Sequence, residues 1–235
     1  MPAPSATHGV ILPSYNSGPR LVQTVAEVLR AWQPVWLVAD GSTDGSAEPL
    51  RGVAGLRLIE RPRNGGKGAA VLEGLRAAAA AGLTHVLVMD ADGQHPADSI
   101  AAFMQLSAQT PGAMILGQPV FGPEAPRLRV WGRRLSNTLA RWETGQDTGD
   151  ALFGLRVYPL APLLALMQRR RLHGYDFDTA ALVELVRQGV PFLKRDVPVR
   201  YLRAAEGGVS HFRYGRDNLR LAALHARLLL TPCRR

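Results

Sequence analysis

Apolar residues fall in short runs at positions 10–12, 35–38, 56–59, 86–89 and 114–116, and longer stretches with helical spacing separate most of them. Strand-length and helix-length patterns in alternation predict an α/β domain built on a largely parallel sheet. The clearest helix is carried by Leu21, Val22, Val25, Val28, Leu29 and Trp32, which recur along one stripe. A second is the alanine-rich stretch 67–81, closed by Gly82. In open sheets of this kind ligands bind beyond the carboxyl ends of the strands, so the segments after the apolar runs are where chemistry is expected. They read PSYNSG (13–18), ADGSTDGS (39–46), RPRNGGKG (61–68) and DADGQHP (90–96), each polar and rich in turn-forming residues.

From about Gly122 the pattern changes. PRLRVWGRRLSNTLARWETG is basic, and RVYPLAPLLALMQRRR mixes apolar residues and proline with an arginine run. We read this as the second half of the same domain. Further on, VPVRYLRAAEGGVSHFRYGRDN predicts a strand leading into a glycine-containing loop, and a leucine-rich last helix is expected over 217–230. No internal repeat and no low-complexity linker interrupts the chain.

The 235 residues, 46% of them apolar, suffice for one substantial core. Lysine and arginine total 28 against 19 acids, and the net charge of +9 favours anionic partners: nucleic acid, an anionic membrane surface or phosphorylated ligands. Nucleic acid is disfavoured, because aromatics are only 6% and do not interleave with the basic residues. Cys233 is the sole cysteine, so no intrachain disulfide forms and a reducing compartment is expected. The first 30 residues lack the cationic and apolar regions of a signal peptide. No segment approaches the roughly 20 apolar residues of a membrane span. A soluble or peripheral cytoplasmic protein is the expectation.

Asp90 and Asp92 alternate by two, so in extended backbone both carboxylates point to one side. Two close carboxylates repel unless a cation relieves them. A hard divalent ion, Mg2+ or Mn2+, suits oxygen ligands, with the Gln94 carboxamide as a further one. Solvated turn aspartates are the alternative. Asp40 can accept hydrogen bonds from a base or ribose, or can simply belong to a capping turn. Arg61, Arg63 and Lys67 surround adjacent glycines at a helix start, a cradle for a diphosphate. Neither a Walker A loop nor the dinucleotide fingerprint is present.

Taken together, ILPSYNSGPRL, VADGSTDGS, NGGKGAAVLEGL and VLVMDADGQHP resemble, in order and spacing, the family 2 glycosyltransferases of the GT-A (Rossmann-like) fold, above all the dolichyl-phosphate (polyprenyl-phosphate) mannosyltransferase-like branch. The resemblance continues through DALFGLRVYP, YDFDTAALVELVRQGVPF and GGVSHFRYGRDN. The last of these, with GLRVYP, is also similar to bacterial glycosyltransferases of aryl-polyene-type pathways. The resemblance implies one domain over 1–235: a nucleotide-sugar and metal-binding half (9–120), an acceptor-side half (121–214) and a C-terminal amphipathic helix (215–235). It implies that Pro13, Tyr15 and Asp40 line the nucleoside pocket, that Lys67 lies near the diphosphate, and that Asp90, Asp92 and Gln94 hold the metal. The metal would neutralise the departing nucleoside diphosphate, and direct displacement would invert the anomeric centre.

Departures from the family pattern are Ala39 for the first aspartate of D-D-G-S, Pro13 for a common threonine, and Ala180 where relatives carry glutamate. Asp150 opens the motif that ends in Gly154 and Arg156, and the resemblance makes it the candidate base for a hydroxyl acceptor. A phosphate acceptor needs positioning instead, for which Arg127, Arg129, Arg133, Arg134 and Ser136 are the candidates. Ser210, His211 and Arg213 are expected to reach phosphate or metal, while His8, His85, His173 and His225 are read as structural. Asp92 and Asp150 are thus the expected catalytic pair, acting on a nucleotide-sugar donor and a lipid-linked or membrane-proximal acceptor. On the last helix Arg216, Arg220 and Arg227 share a stripe beside Leu219, Leu221, Leu224, Leu228 and Leu230. That pattern suits either an anionic membrane surface, placing the protein on the cytoplasmic face of the inner membrane, or packing on its own sheet. A sugar nucleotidyltransferase and an inactive nucleotide-binding scaffold are the rival readings.

Overall fold

In the computed structural model, residues 2–122, 127–170, 172, 174, 176–199 and 214–230 are described, 127–131 and 214–218 by their backbone alone. The first half alternates β1 (His8–Ser14), α1 (Arg20–Ala31), β2 (Val35–Asp40), β3 (Leu56–Arg61), α2 (Lys67–Ala80), β4 (His85–Met89), α3 (Ile100–Gln109) and β5 (Met114–Val120). The second half adds α4 (Arg127–Thr144), β6 (Leu155–Pro159), α5 (Leu160–Arg169), α6 (Phe177–Arg187), β7 (Phe192–Pro198) and α7 (Tyr214–Leu230). The seven strands form one sheet in the order β3-β2-β1-β4-β6-β5-β7. Every pairing is parallel except those of β6, which runs antiparallel to both β4 and β5.

Strands β1, β2 and β4 are buried along their whole length, which is why they read as unbroken apolar runs and not as alternating ones. Their side chains still divide by parity. Ile11, Val38, Val86 and Val88 face a core layer closed by α2, α5, α6 and α7. Val10, Leu12, Leu37, Leu87 and Met89 face the layer closed by α1 and α3. Small residues let α2 approach the sheet closely: a Cβ on Gly74 would stand 2.7 Å from Ile11 Cγ2. Gly82, at φ +80°, ends that helix as expected.

Two strands escape the hydrophobic pattern. β6 passes straight into α5 with no loop between them, Pro159 ending the strand and capping the helix, and buried Arg156 interrupts its apolar run. β7 begins at Phe192, earlier than the stretch from Val197 suggested, and most of it is exposed edge carrying Lys194, Arg195 and Asp196. The final helix likewise starts earlier, at Tyr214.

The reversed strand positions the site. Because β6 runs against β4, the start of β6 lies beside the end of β4, with Leu155 opposite Met89. The loop entering β6, which holds Asp150 and Gly154, therefore arrives next to Asp90.

Candidate active site

The strand-end loops are tied to one another before any ligand is considered. Asn16, at φ 45°, accepts the Thr43 N–H at 2.8 Å through Oδ1, and its own N–H donates to Ser42 Oγ at 3.1 Å. The Gly18 N–H donates to Asp44 Oδ2 at 2.9 Å. Pro13 is buried within β1, whereas the Tyr15 ring at the tip is 36% exposed. Asp40 is 2% exposed and turned inward. Its oxygens accept from Arg61, from the Gly65 N–H at 3.0 Å and from the Gly66 N–H at 2.7 Å. Asp40 thus pins the glycine loop that opens α2. The loop after β2 must come close to do so, and at Gly41, φ +67°, a Cβ would collide with the backbone of Asn64 and Arg63.

Lys67, in the first turn of α2, stands between two carboxylates. Its Nζ lies 2.5 Å from Asp90 Oδ1 and 2.6 Å from Asp178 Oδ2, and the lysine and Asp178 side chains are each 9% exposed. Burial alone would discharge the lysine, but the charges of Asp178 and Asp90 hold its pKa above the ordinary value. Against the opposing effect of burial, Lys67 draws Asp90 below the carboxylate range. Burial pushes Asp178 upward, and repulsion by Asp90 adds to that rise against the pull of Lys67. Gly154 makes the contact feasible, since a Cβ there would meet the Asp90 carboxylate and lie 2.9 Å from Lys67 Nζ.

Asp92 follows in a turn in which its Oδ1 accepts the Gln94 N–H at 2.9 Å. Burial and then the charge of Asp90 raise its pKa. Buried His95 puts Nε2 3.7 Å from Asp90 Oδ2 and packs edge-on against Phe153, with ring centroids 4.6 Å apart. Three carboxylates near one ammonium leave an excess of negative charge among hard oxygen donors, a setting whose chemistry fits a hard divalent ion such as Mg2+ or Mn2+. Among the described residues no three His, Cys, Asp or Glu side chains form a ready-made cage. An ion there would complete its shell with amide, water or phosphate oxygens.

In the excursion between β5 and β6, Arg133 Nη1 donates to Asp150 Oδ1 at 2.7 Å, and the Arg133 guanidinium sits 5.5 Å from the Phe121 ring centroid. Asp150 is 5% exposed and also accepts the Leu152 N–H at 2.9 Å. Arg134 is exposed, while Ser136 is buried. The Arg127 and Arg129 side chains, and Ser210, His211, Arg213 and His173, lie outside the described residues. Buried Arg156 joins the two sides: it donates to the Asp150 carbonyl at 3.0 Å and to the Asp178 carbonyl at 2.5 Å. Sequence reasoning missed Asp178 and His95, and gave Arg156 no role beyond closing the motif that Asp150 opens. It had weighed Ala180, which is fully buried in α6, whereas Asp178 two residues earlier reaches the site. The remaining histidines with described side chains are packed: His8 and His85 stack at 4.4 Å, and His225 Nδ1 pairs with Glu143 Oε1 at 2.8 Å.

Comparison with known proteins places this geometry. The glycosyl transferase family 2 model matches residues 9–172. The chain is 23% identical over 196 residues to UDP-N-acetylglucosamine–dolichyl-phosphate N-acetylglucosaminyltransferase of Methanococcus voltae, covering 74% of this chain and 78% of that protein. It is 30% identical over 165 residues to polyprenol monophosphomannose synthase of Mycolicibacterium smegmatis, covering 63% and 60%. Among solved structures, glucosyl-3-phosphoglycerate synthase from Mycobacterium tuberculosis, in complex with Mn2+, UDP-glucose and phosphoglyceric acid, superposes with a TM-score of 0.64 at 20% identity, over 97% of this chain and 79% of that one. S. aureus TarS in complex with UDP-GlcNAc superposes with a TM-score of 0.57 at 16% identity, over 96% and 67%. Those two likenesses concern the fold and agree with the mostly parallel sheet; the family match leaves the nucleotidyltransferase reading without support. The chain belongs to glycosyl transferase family 2 and is a glycosyltransferase with the GT-A fold.

Proposed function

We propose that this enzyme moves a hexose, with inversion, from a nucleoside-diphosphate donor to a polyprenyl-phosphate acceptor at a membrane surface. The observation that carries the reading is the charge layout around the β4 end: anionic ligands and Lys67 on the donor side, Arg133 and Asp150 on the other, joined through Arg156. Residues 9–120 would hold the donor and 121–214 the acceptor. Tyr15, with Pro13 beneath it, would face the nucleoside, while Asp40 acts by holding the Gly65 and Gly66 amides in place. Mg2+ or Mn2+ held by Asp90, Asp92 and Gln94 would supply charge neutralisation for the departing diphosphate. Lys67 adds a second positive charge on the same side. As the acceptor oxygen bonds to the anomeric carbon, the bond from that carbon to the diphosphate breaks, and negative charge gathers where Lys67 can reach it.

An anionic acceptor is favoured by the state of Asp150. Its carboxylate is engaged by Arg133 and the Leu152 amide, which suits positioning better than proton abstraction. A phosphate needs a cation and no base, and Arg133 and Arg134 offer two; Ser210, His211 and Arg213 would complete the donor side. The names of the two relatives, which act with dolichyl-phosphate and polyprenol chemistry, support the same acceptor class. So does the outer face of α4 and α7, where Leu135, Trp142, Leu219, Leu229 and Leu230 are exposed among Arg134, Arg141, Arg220 and Arg227. No helix among the described residues is long and apolar enough to cross a membrane, so this face would lie on an anionic bilayer.

Incubating the enzyme with Mn2+ and a panel of radiolabelled nucleotide sugars, with a polyprenyl phosphate in detergent, tests the proposal. The expected product is a glycolipid of opposite anomeric configuration, and Arg133→Ala with Arg134→Ala should raise the acceptor KM at least tenfold with little change in donor KM. Transfer to a soluble hydroxyl acceptor with none to the lipid phosphate would contradict the acceptor class.

A further inference from the structure

Lys67 does more in this structure than wait near a loop for a diphosphate. Its ammonium is 2.5 Å from the same Asp90 carboxylate that a divalent cation would need, and 2.6 Å from Asp178. A magnesium or manganese ion binds carboxylate oxygen at about 2.0–2.2 Å, so ion and ammonium would have to share one carboxylate. Two cations that close repel, and a poorly solvated setting strengthens the effect. Solvent is indeed restricted here, with the Lys67 and Asp178 side chains each 9% exposed. The arrangement is also built in by the surrounding chain. Gly154 leaves the space in which lysine and aspartate meet, Arg156 fixes the carbonyl of Asp178, and Asp40 holds the Gly65–Gly66 turn from which Lys67 springs.

We propose that Lys67 is the resident counter-ion of the cation site, holding Asp90 and Asp178 together until a nucleoside diphosphate draws it away, so that tight binding of a divalent cation is conditional on the donor. The inference rests on reading Asp90 and Asp92 as cation ligands. The diphosphate, seated beside the glycine turn at the α2 N-terminus, offers Lys67 a stronger anionic partner than either carboxylate. Asp90 then becomes available to the ion on the opposite side. By linkage the ion tightens the donor by the same factor as the donor tightens the ion. Asp178 is on this account a positioning residue: it receives no substrate atom and sets where Lys67 rests.

The test is Mn2+ binding, followed by the electron paramagnetic resonance signal of free Mn2+, with Mn2+ alone and then with UDP as the nucleotide probe. Lys67→Met should bind Mn2+ without nucleotide at least tenfold more tightly than wild type, and the gain from adding UDP should shrink correspondingly. Because Lys67→Met leaves half-buried Asp90 and buried Asp178 without their shared cation, the double variant Lys67→Met with Asp178→Asn provides a second measurement, its fold checked by circular dichroism. It too should bind Mn2+ alone more tightly than wild type. Adding Asp92→Asn to either variant should abolish that binding. Equal nucleotide-free affinities in wild type and both Lys67 variants would overturn the counter-ion role while leaving the cation site standing, provided UDP-loaded wild type binds Mn2+. If UDP-loaded wild type binds no Mn2+ at all, the cation site itself is refuted and the counter-ion role falls with it.

Discussion

At the scale of single residues, Gly154 is the most exacting position in the site. Its φ lies outside the left-handed region, so alanine meets no backbone objection. The conflict is with Asp90 and with Lys67 Nζ, 2.9 Å from the Cβ that alanine would add. Gly154→Ala should therefore lower kcat at least tenfold through displaced charges while costing about 1–3 kcal/mol of stability, the range for a small overpacking change. Steady-state kinetics beside urea unfolding would check this, and unchanged kcat would contradict the placement of Asp90 against that loop. The placement of Asp40, Asp90 and Asp92 after strands, and of Lys67 at the start of a helix, was legible in the sequence because turn residues surround each. Asp178 was not, since its partner Lys67 is 111 positions away and nothing local distinguishes it from the ordinary acidic residue of a helix's first turn. The bonds of Asp40 to Arg61 and to the Gly65 and Gly66 amides were hidden, because they join the ends of two strand-end loops 21 to 26 positions apart.

At the scale of elements, the strands that hold the site are also joined at the far end of the sheet. β1 and β4 both begin with a histidine preceded by a threonine, and register sets His8 opposite His85. The rings stack 4.4 Å apart, with His8 Nε2 3.1 Å from Ser107 Oγ and His85 Nε2 2.8 Å from the Pro111 carbonyl. Burial, and then the nearness of His85, lowers the pKa of His8 to about 4. The unfolded chain takes up that proton near 6.5. Between these values the unfolded state binds more protons, so stability falls as pH drops from 6.5 toward 4 and is fully retained above 6.5. Allowing for partial screening, this term is about 2 kcal/mol. Urea unfolding at pH 7 and pH 4.5 should show a loss larger in wild type than in His8→Phe by about that amount; parallel losses would mean His8 does not carry the effect. The elements themselves were predictable where apolar runs were bounded by turns, as in β1 to β5. β6 and β7 were obscured by opposite causes, one flowing without a break into α5 and the other masked by the charges that protect an edge strand.

At the scale of the whole molecule, the net charge of +9 is unevenly used. The single acid of α4, Glu143, is buried against His225, so the outer surface of that helix keeps its arginines unopposed by a carboxylate from its own chain segment. With the exposed leucines of α7 alongside, co-flotation should be strong with vesicles containing anionic lipid and weak with zwitterionic ones, and should decline steeply between 50 and 500 mM salt. Leu229→Glu with Leu230→Glu should reduce it without changing Mn2+-dependent donor binding. Equal recovery with both vesicle types would argue against the charged contact. The residue pattern of this helix left a choice between membrane and packing; Leu224 and Leu228 pack into the core, while Leu219 and Leu230 face outward and are what the flotation experiment tests.

The reversed strand has a consequence for how such an enzyme diversifies. The excursion between β5 and β6 leaves the sheet at Val120 and must return at Leu155, where pairing with Met89 fixes the point of re-entry. Whatever length or composition that excursion acquires, it departs from and lands on the same two anchors, one of them touching the donor side. On the proposed assignment of this excursion to the acceptor, its contents can be exchanged like an interchangeable tool held in a constant grip. Grafting residues 121–153 from a relative with a different acceptor should change what receives the sugar and leave unaltered what gives it.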